Sequence, residues 1–367
     1  MFKIIKKSKI SNARLGVIKT PHGLIRTPCF MPDATRGVIK QLSNGELTEL
    51  GLECFVANTL HLYLRPGLKI IKRSAGLHKF MNWPRPILTD SGGYQVFSLI
   101  HNSSNSGKIT DAGAIFRSPL DGAKLVITPE LSIKIQFTIG SDLIVCFDDC
   151  PPNGYNDSKL TESVERTIKW AARCKKEYEK NCKKNNKRPL LFAVIQGGNN
   201  LKLREHCAKE LIKIGFDGYG FGARHIDEHG VFLSKTLDYT AQLIPEDKIR
   251  FGLGIGSPGD ILKAIKMGWD LFDCVIPTRE GRHGRLFLKK GVSYKTINIT
   301  NAKFAKDFSP INPASKLTDL QKYSKAYLNY LFKINEPLAA RLASLHNLEF
   351  YLKIMEEARD QIKSNKL

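Results

Sequence analysis

The sequence predicts a (β/α)8 TIM barrel, an α/β fold, on three observations: short apolar, β-branched runs recur along the chain, each ends in a polar residue or glycine, and amphipathic segments separate them. Eight runs can be counted: PCFMPDAT (28–35), CFVANT (54–59), PILTDSGG (86–93), LIVCFDDC (143–150), LFAVIQGG (191–198), FDGYGFGA (216–223), RFGLGIGS (250–257) and LFDCVIPT (271–278). Continuous rather than alternating apolar character is the mark of parallel strands buried on both faces. The intervening segments include SNGELTELGL after the first run and SPGDILKAIKMG after the seventh, the latter opening with Ser257 as N-cap and Pro258 in the first turn. A doubly wound sheet is the rival architecture, but no GxGxxG follows an early strand.

Two stretches fall outside the repeat. Residues 99–130 read as a β-hairpin insertion near 100–130, with turns at Ser106-Gly107 and Asp121-Gly122. After residue 285 the pattern changes to two strands, RLFLKKGVSYKTINI, followed by a long helical tail. The expected division is a catalytic barrel over 1–285 and a C-terminal strand and helix subdomain over 286–367.

Length and composition fit this plan. The chain has 367 residues, 42% of them hydrophobic, enough for a sizeable core. No run of 18 apolar residues suggests a membrane span, and the basic N-terminus lacks a signal-peptide pattern. The eight cysteines form no CxxC pair and fall in apparent core segments, as expected of reduced thiols in a cytoplasmic protein. A net charge of +22, from 57 basic and 35 acidic residues, suits a polyanionic partner. Lysine enrichment from biased composition would look the same, so charge supports nucleic acid without deciding for it.

In such a barrel the working residues sit at the C-terminal strand ends. The runs end in Asn58, Asp90, Asp148 with Asp149, Gln196, Gly222 and Asp273. An aspartate in an apolar run is costly to bury unless paired, and one alone could be a rim salt bridge. Several together suit cleavage of an acetal-like glycosidic bond, where one carboxylate attacks or stabilises the anomeric carbon and another exchanges protons. A further carboxylate with an amide can read a purine-like edge, because Asp accepts from N–H groups and Gln both donates and accepts. Arg279, Arg282, His283 and Arg285 follow the last strand as a basic loop able to hold phosphates.

At this point the residues resemble a known family. ANTLHLYLRPG (57–67), LTDSGGYQVFSL (88–99), FDDC (147–150), VIQGG (194–198), LFDCVIPTREGR (271–282), INITNAKFAKDFSP (297–310) and LHNLEFYLKIMEEARDQI (345–362) are similar to segments of the bacterial tRNA-guanine transglycosylases, also called queuine tRNA-ribosyltransferases. The resemblance covers nearly the whole chain in order. It implies Asp273 as the nucleophile of a covalent ribosyl-enzyme intermediate and Asp90 as an acid/base carboxylate. It places Asp148, Gln196, Gly222 and Ser91 about the base edge, with Tyr94 and Leu253 sandwiching the base. Leu253 stands where the family usually has methionine. Arg279 and Arg282 match positions that contact tRNA. The implied partners are a tRNA with a U-G-U anticodon context, a 7-deazaguanine-type base exchanged for the wobble guanine in queuosine modification, and a second copy of the chain in a homodimer.

Two departures stand out. The family's zinc site uses three cysteines at CxCxxC spacing and a later histidine, whereas here Ser315, Leu317 and Leu320 occupy the cysteine positions and only His346 remains. A closed structural site needs four N/S ligands, so no metal cofactor is expected. The two leucines, three residues apart, are expected to form an apolar cluster against the helix bearing His346. GYGFGARHIDE (218–228) stands where relatives read close to GGLAVGE, a loop that contacts the C7 substituent; with Cys150 and Ile226 it favours the small aminomethyl base over queuine. The alternatives are a queuine-salvaging enzyme, a non-catalytic tRNA-binding subunit, which could lose its carboxylates, and an unrelated sugar glycosidase, which the charge argues against. No extra RNA-binding module is read after the barrel, so an archaeal-type enzyme with an appended domain is not expected.

Overall fold

The computed structural model describes residues 1–101, 107–152, 154–185, 188–291 and 293–367. It opens with a three-stranded antiparallel sheet, β1 (Phe2–Lys7), β2 (Arg14–Thr20) and β3 (Gly23–Thr27). The sequence-based reading has no counterpart to this sheet. In β1 half-buried and exposed residues alternate through FKIIKK, so lysines dilute the apolar signal of so short a strand.

The central sheet has eight parallel strands: β4 (Cys29–Pro32), β5 (Phe55–Ala57), β6 (Ile87–Thr89), then β10 (Leu143–Val145), β11 (Leu190–Ile195), β12 (Gly218–Phe221), β13 (Ile249–Gly252) and β14 (Leu271–Cys274), the numbers between belonging to an insertion after β6. Their order is β4-β14-β13-β12-β11-β10-β6-β5, and a parallel bridge from Asp33 to Val56 joins the two ends. Each expected run overlaps one barrel strand, β11 and β13 starting one residue earlier, and the (β/α)8 expectation holds.

Strand alternation sorts the side chains into two cores. Cys29, Met31, Cys54, Val56, Leu88, Leu143, Val145, Phe192, Val194, Ile249, Phe251 and Leu271 form one buried cluster with Ile18 and Ile25 from the N-terminal sheet. Their neighbours along the strands, such as Phe30, Phe55, Ile144, Leu191 and Phe272, pack outward into a second cluster shared with the helices. The first cluster is the barrel interior. Continuing an inward column by two residues names Asn58, Asp90, Gln196 and Asp273 at the barrel mouth, whereas β10 departs from the rule: Phe147 packs in the outer cluster and Asp148 takes the mouth position.

The insertion differs from the expected hairpin. It is a three-stranded antiparallel sheet, β7 (Gly107–Thr110), β8 (Gly113–Arg117) and β9 (Lys124–Ile127). The turn at Asp121-Gly122 joins β8 to β9 as expected, while a tight connection at Asp111-Ala112 adds a strand within the stretch read as one arm. Ser106 of the other expected turn lies outside the described residues.

Beyond the barrel, β15 (Arg285–Lys290) and β16 (Ser293–Asn298) pair as an antiparallel hairpin, and the helix Pro337–Lys363 packs on the helix Ile276–Arg282. Gly281 permits that approach, since a Cβ there would lie 2.8 Å from the Ser344 backbone. Fully buried Asn347 pins the junction, donating to Pro277 O (2.9 Å) and Arg285 O (2.8 Å) and accepting from Phe287 N (3.0 Å). The two expected cluster leucines are buried, Leu317 at 5% and Leu320 at 0% exposure. Glu349, on the same long helix, holds their loop: it accepts from Ser315 Oγ (2.6 Å), Lys316 N (2.6 Å) and Asn312 Nδ2 (3.2 Å). Buried His346 meets Phe287 O at 2.9 Å through Nε2. A hydroxyl already committed to a carboxylate, two leucines and one imidazole do not fit a zinc ligand set.

Candidate active site

The mouth of the barrel divides into two arcs. On one, Asp148 accepts a hydrogen bond from Gln196 Nε2 at 2.7 Å and one from Ser91 Oγ at 3.4 Å. Gln196 is fully buried, and its Oε1 has no hydrogen-bond partner among the described residues. The column of β12 continues as Gly218, Gly220 and Gly222, with no inward side chain at all. Phe192 fills the space over Gly218 and Leu253 that over Gly220, while the Gln196 amide lies over Gly222, where a Cβ would come within 2.5–2.7 Å of it. Gly93 is required for the same reason, because a Cβ there would sit 2.9 Å from Asp148 Oδ1. Glycines thus let neighbouring side chains close directly on the β12 backbone, with the Gln196 amide against Gly222 and the Asp148 carboxylate against Gly93. The Cys150 thiol, pushed up by burial, lies beside Asp148, Gln196 and the Ala223 backbone.

On the opposite arc stand Asp90 and Asp273. Asp90 Oδ2 accepts from Asn58 Nδ2 (2.6 Å), and Oδ1 accepts from Thr59 N and Gly92 N (3.0 Å each). Asn58 is itself fixed as the cap of a short helix, its Oδ1 accepting from His61 N at 2.9 Å. Asp273 Oδ1 accepts from Gly254 N at 2.9 Å, and Oδ2 has no hydrogen-bond partner among the described residues. Burial pushes Asp90 up to about 7 against its hydrogen bonds, and Asp273 up to about 7 against the Gly254 amide. Asp148 is raised less, to about 6, because Gln196 stabilises its anion against burial. At neutral pH, then, Asp148 is mainly an acceptor, while Asp90 and Asp273 sit where protons come and go.

The remaining expected residues lie around this mouth. Tyr94, 58% exposed, opens the helix Gly93–His101, and Leu253 is half-buried after β13. Arg279 is exposed and Arg282 half-buried on the helix Ile276–Arg282 beside β14. Asp149 turns away from the mouth: it is buried and paired with Arg166, and Ser163 Oγ donates to its carbonyl at 2.7 Å. Ser315, Leu317, Leu320 and His346 belong to the C-terminal packing, not to the site.

Two contributors escaped the sequence reading. Arg204 is fully buried in the helix Leu201–Ile214, stacks 3.9 Å from the Phe221 ring centre, and donates to Gly198 O (2.7 Å), Ile195 O (3.1 Å) and Gly222 O (3.0 Å). It ties the two loops that carry Gln196 and Gly222, and burial pulls it down to about 9. Its helical spacing to buried Cys207, Ala208 and Leu211 signals that it faces the barrel. The second is Asp33, at the inward end of β4, on the same parity as Cys29 and Met31.

Comparison with known proteins agrees with this geometry. A family model described as queuine tRNA-ribosyltransferase matches residues 9–367. A queuine tRNA-ribosyltransferase of Thermoanaerobacter pseudethanolicus is 44% identical over 366 residues, covering 100% of this chain and 94% of the relative. One from Staphylococcus aureus is 42% identical over 363 residues, with 99% and 92% covered. One from Geobacillus kaustophilus is 40% identical over 366 residues, with 100% and 93% covered. With a barrel whose mouth brings the motif residues together and a match over nearly its whole length, this chain belongs to the queuine tRNA-ribosyltransferase family.

Proposed function

We propose that this chain is a tRNA-guanine transglycosylase that exchanges the wobble guanine of a U-G-U anticodon for 7-aminomethyl-7-deazaguanine, through a ribosyl ester on Asp273. The observation that carries this reading is the two-arc mouth: a base-reading pair, Asp148 and Gln196 over the Gly222 backbone, faces two carboxylates of raised pKa, Asp90 and Asp273.

The open Oδ2 of Asp273 attacks C1′ as the C1′–N9 bond breaks, and the bonding pair leaves with guanine, which takes a proton from the acid form of Asp90. Asp148 and Gln196 hold the N–H and carbonyl edge of departing and entering bases alike. The entering base gives its N9 proton to Asp90, N9 attacks C1′, and the Asp273–C1′ ester bond breaks, restoring both carboxyl groups. Two displacements at one carbon retain its configuration.

The base preference rests on Cys150 and on Ile226, which bridges to Phe232 and lines a cavity of about 440 Å³ with Tyr155, Ala223 and Arg224. A basic surface of net charge +22 with Arg279 at the mouth suits the tRNA backbone. The C-terminal unit is held by Glu349 and the two leucines instead of zinc, and the protein works as a homodimer in the cytoplasm. The test is exchange of labelled guanine into tRNA, competed with 7-aminomethyl-7-deazaguanine and with queuine. Displacement by the aminomethyl base at lower concentration than queuine is expected. No exchange at all would defeat the proposal.

A further inference from the structure

One inward column of the barrel ends in a residue that the exchange reaction, as written above, does not use. Cys29 pairs in register with Leu271 and Met31 with Asp273, and all but Asp273 lie in the interior cluster. Two residues beyond Met31, Asp33 reaches the mouth on the strand next to the nucleophile. Its parallel bridge to Val56 closes the barrel, with Ala34 N donating to Val56 O at 2.7 Å, and the Asp90 amide donates to Ala57 O at 3.2 Å. Asp33 therefore stands on the seam between the strands of Asp273 and Asp90.

We propose that Asp33 is a further positioning residue for base exchange, a third carboxylate on the ribose side of the mouth that acts on Asp90 and Asp273 through its charge. This rests on the reading of the site given above. The carboxylate is half-buried, accepts from Thr35 Oγ1 at 2.8 Å, and forms no ion pair among the described residues. The charged and titratable groups that face it are Asp90 and Asp273 at the neighbouring strand ends, Cys274 on β14, His61 from the helix Thr59–Leu62, with Arg36 behind it, and Arg282 from the helix Ile276–Arg282. Burial raises Asp33 itself, while Thr35, His61 and Arg282 favour its anion. Its charge in turn disfavours the anions of both Asp90 and Asp273. A like charge at this position keeps a proton available on Asp90 near neutral pH and makes the Asp273 anion a less stabilised, stronger nucleophile.

A rim aspartate that merely caps its loop through Thr35 would affect stability alone. The distinguishing readout is the pH profile of kcat/KM for guanine exchange, which follows the ionisations of the free enzyme. The acid limb requires ionised Asp273 and the alkaline limb requires protonated Asp90. Removing the Asp33 charge lowers both, so in Asp33→Asn the whole bell moves to lower pH by about one unit. At pH about 5.5 its rate relative to its own optimum then rises about 5–10-fold over the unaltered enzyme. Asp33→Ser, a second charge-removing variant, shifts the same way, and Asp33→Glu keeps the original profile. Exchange with an unmoved profile in Asp33→Asn overturns this inference alone, as does loss of the fold in both charge-removing variants. Absence of exchange by the unaltered protein at every pH overturns the functional reading and this inference with it.

Discussion

Asp270 and Asp90 are aspartates at opposite margins of one parallel barrel, the first just below β14 and the second just above β6, and their surroundings are opposite in kind. Asp270 is fully buried and paired with Arg14, whose Nε donates at 2.9 Å and whose Nη2 donates to the other oxygen, while Arg250 N adds 2.8 Å. Asp142, below β10, is likewise satisfied by Ile87 N (2.9 Å), His22 (2.8 Å) and His78 (3.1 Å). Burial pushes Asp142 up, but these hydrogen bonds outweigh it and leave it below its ordinary value. At the mouth burial wins instead, and Asp90, Asp148 and Asp273 all end above theirs. One residue type is thus satisfied by hydrogen bonds and ion pairs at the lower rim and left with a raised pKa at the upper one, where strand polarity in this fold places working residues.

Substituting the same residue at the two rims separates these roles. Asp90→Asn removes the proposed proton carrier and is expected to lower kcat by about 10²–10⁴-fold, with a melting temperature unchanged or raised. A loss of fold matching the loss of rate would erase the contrast. Asp270→Asn leaves the Arg14 guanidinium buried without its carboxylate. It is expected to cost about 3–5 kcal/mol in denaturant unfolding, while the folded fraction keeps its kcat. A drop in kcat without destabilisation would move Asp270 out of the structural class.

Smaller effects sharpen the contrast further out. Arg279→Ala is expected to weaken tRNA binding several-fold and to flatten its salt dependence by about one phosphate contact, leaving guanine affinity intact. Binding indifferent to salt would remove the electrostatic part of the account. For the C-terminal unit the expectation is no effect: purified protein contains no stoichiometric zinc, and a chelator leaves its melting temperature unchanged. About one zinc per chain would contradict the replacement by Glu349, Leu317 and Leu320.

The barrel strands were legible because parallel strands covered on both faces read as unbroken apolar runs, and their polar ends marked Asp90, Asp148, Gln196 and Asp273 directly. The N-terminal sheet was not, because the lysines of β1 interrupt its apolar residues and its faces are only half-buried and exposed. The extra strand of the insertion was hidden by its length, since Gly107–Thr110 is too short to show a period. Asp33 required parity rather than composition: its run, PCFMPDAT, was recognised, but only register with Asp273 shows that the aspartate faces inward. Arg204 and Glu349 share another difficulty. A charged residue on an amphipathic helix reads as solvated, and only the partners, three carbonyls for one and a loop for the other, explain its burial.

The division of the mouth into a base-reading arc and a ribose-side arc is tested most directly by trapping the intermediate. The protein is incubated with labelled tRNA and a saturating base, denatured, and run on a denaturing gel. A labelled band at the mass of chain plus tRNA is expected for the unaltered enzyme. It should be absent in Asp273→Asn, with exchange reduced by several orders of magnitude. In Asp148→Asn, where the base edge is misread but the nucleophile is intact, the band is expected to form slowly and still to depend on Asp273. A full-strength adduct in Asp273→Asn would contradict the assignment of the nucleophile, and with it the reading of the two arcs.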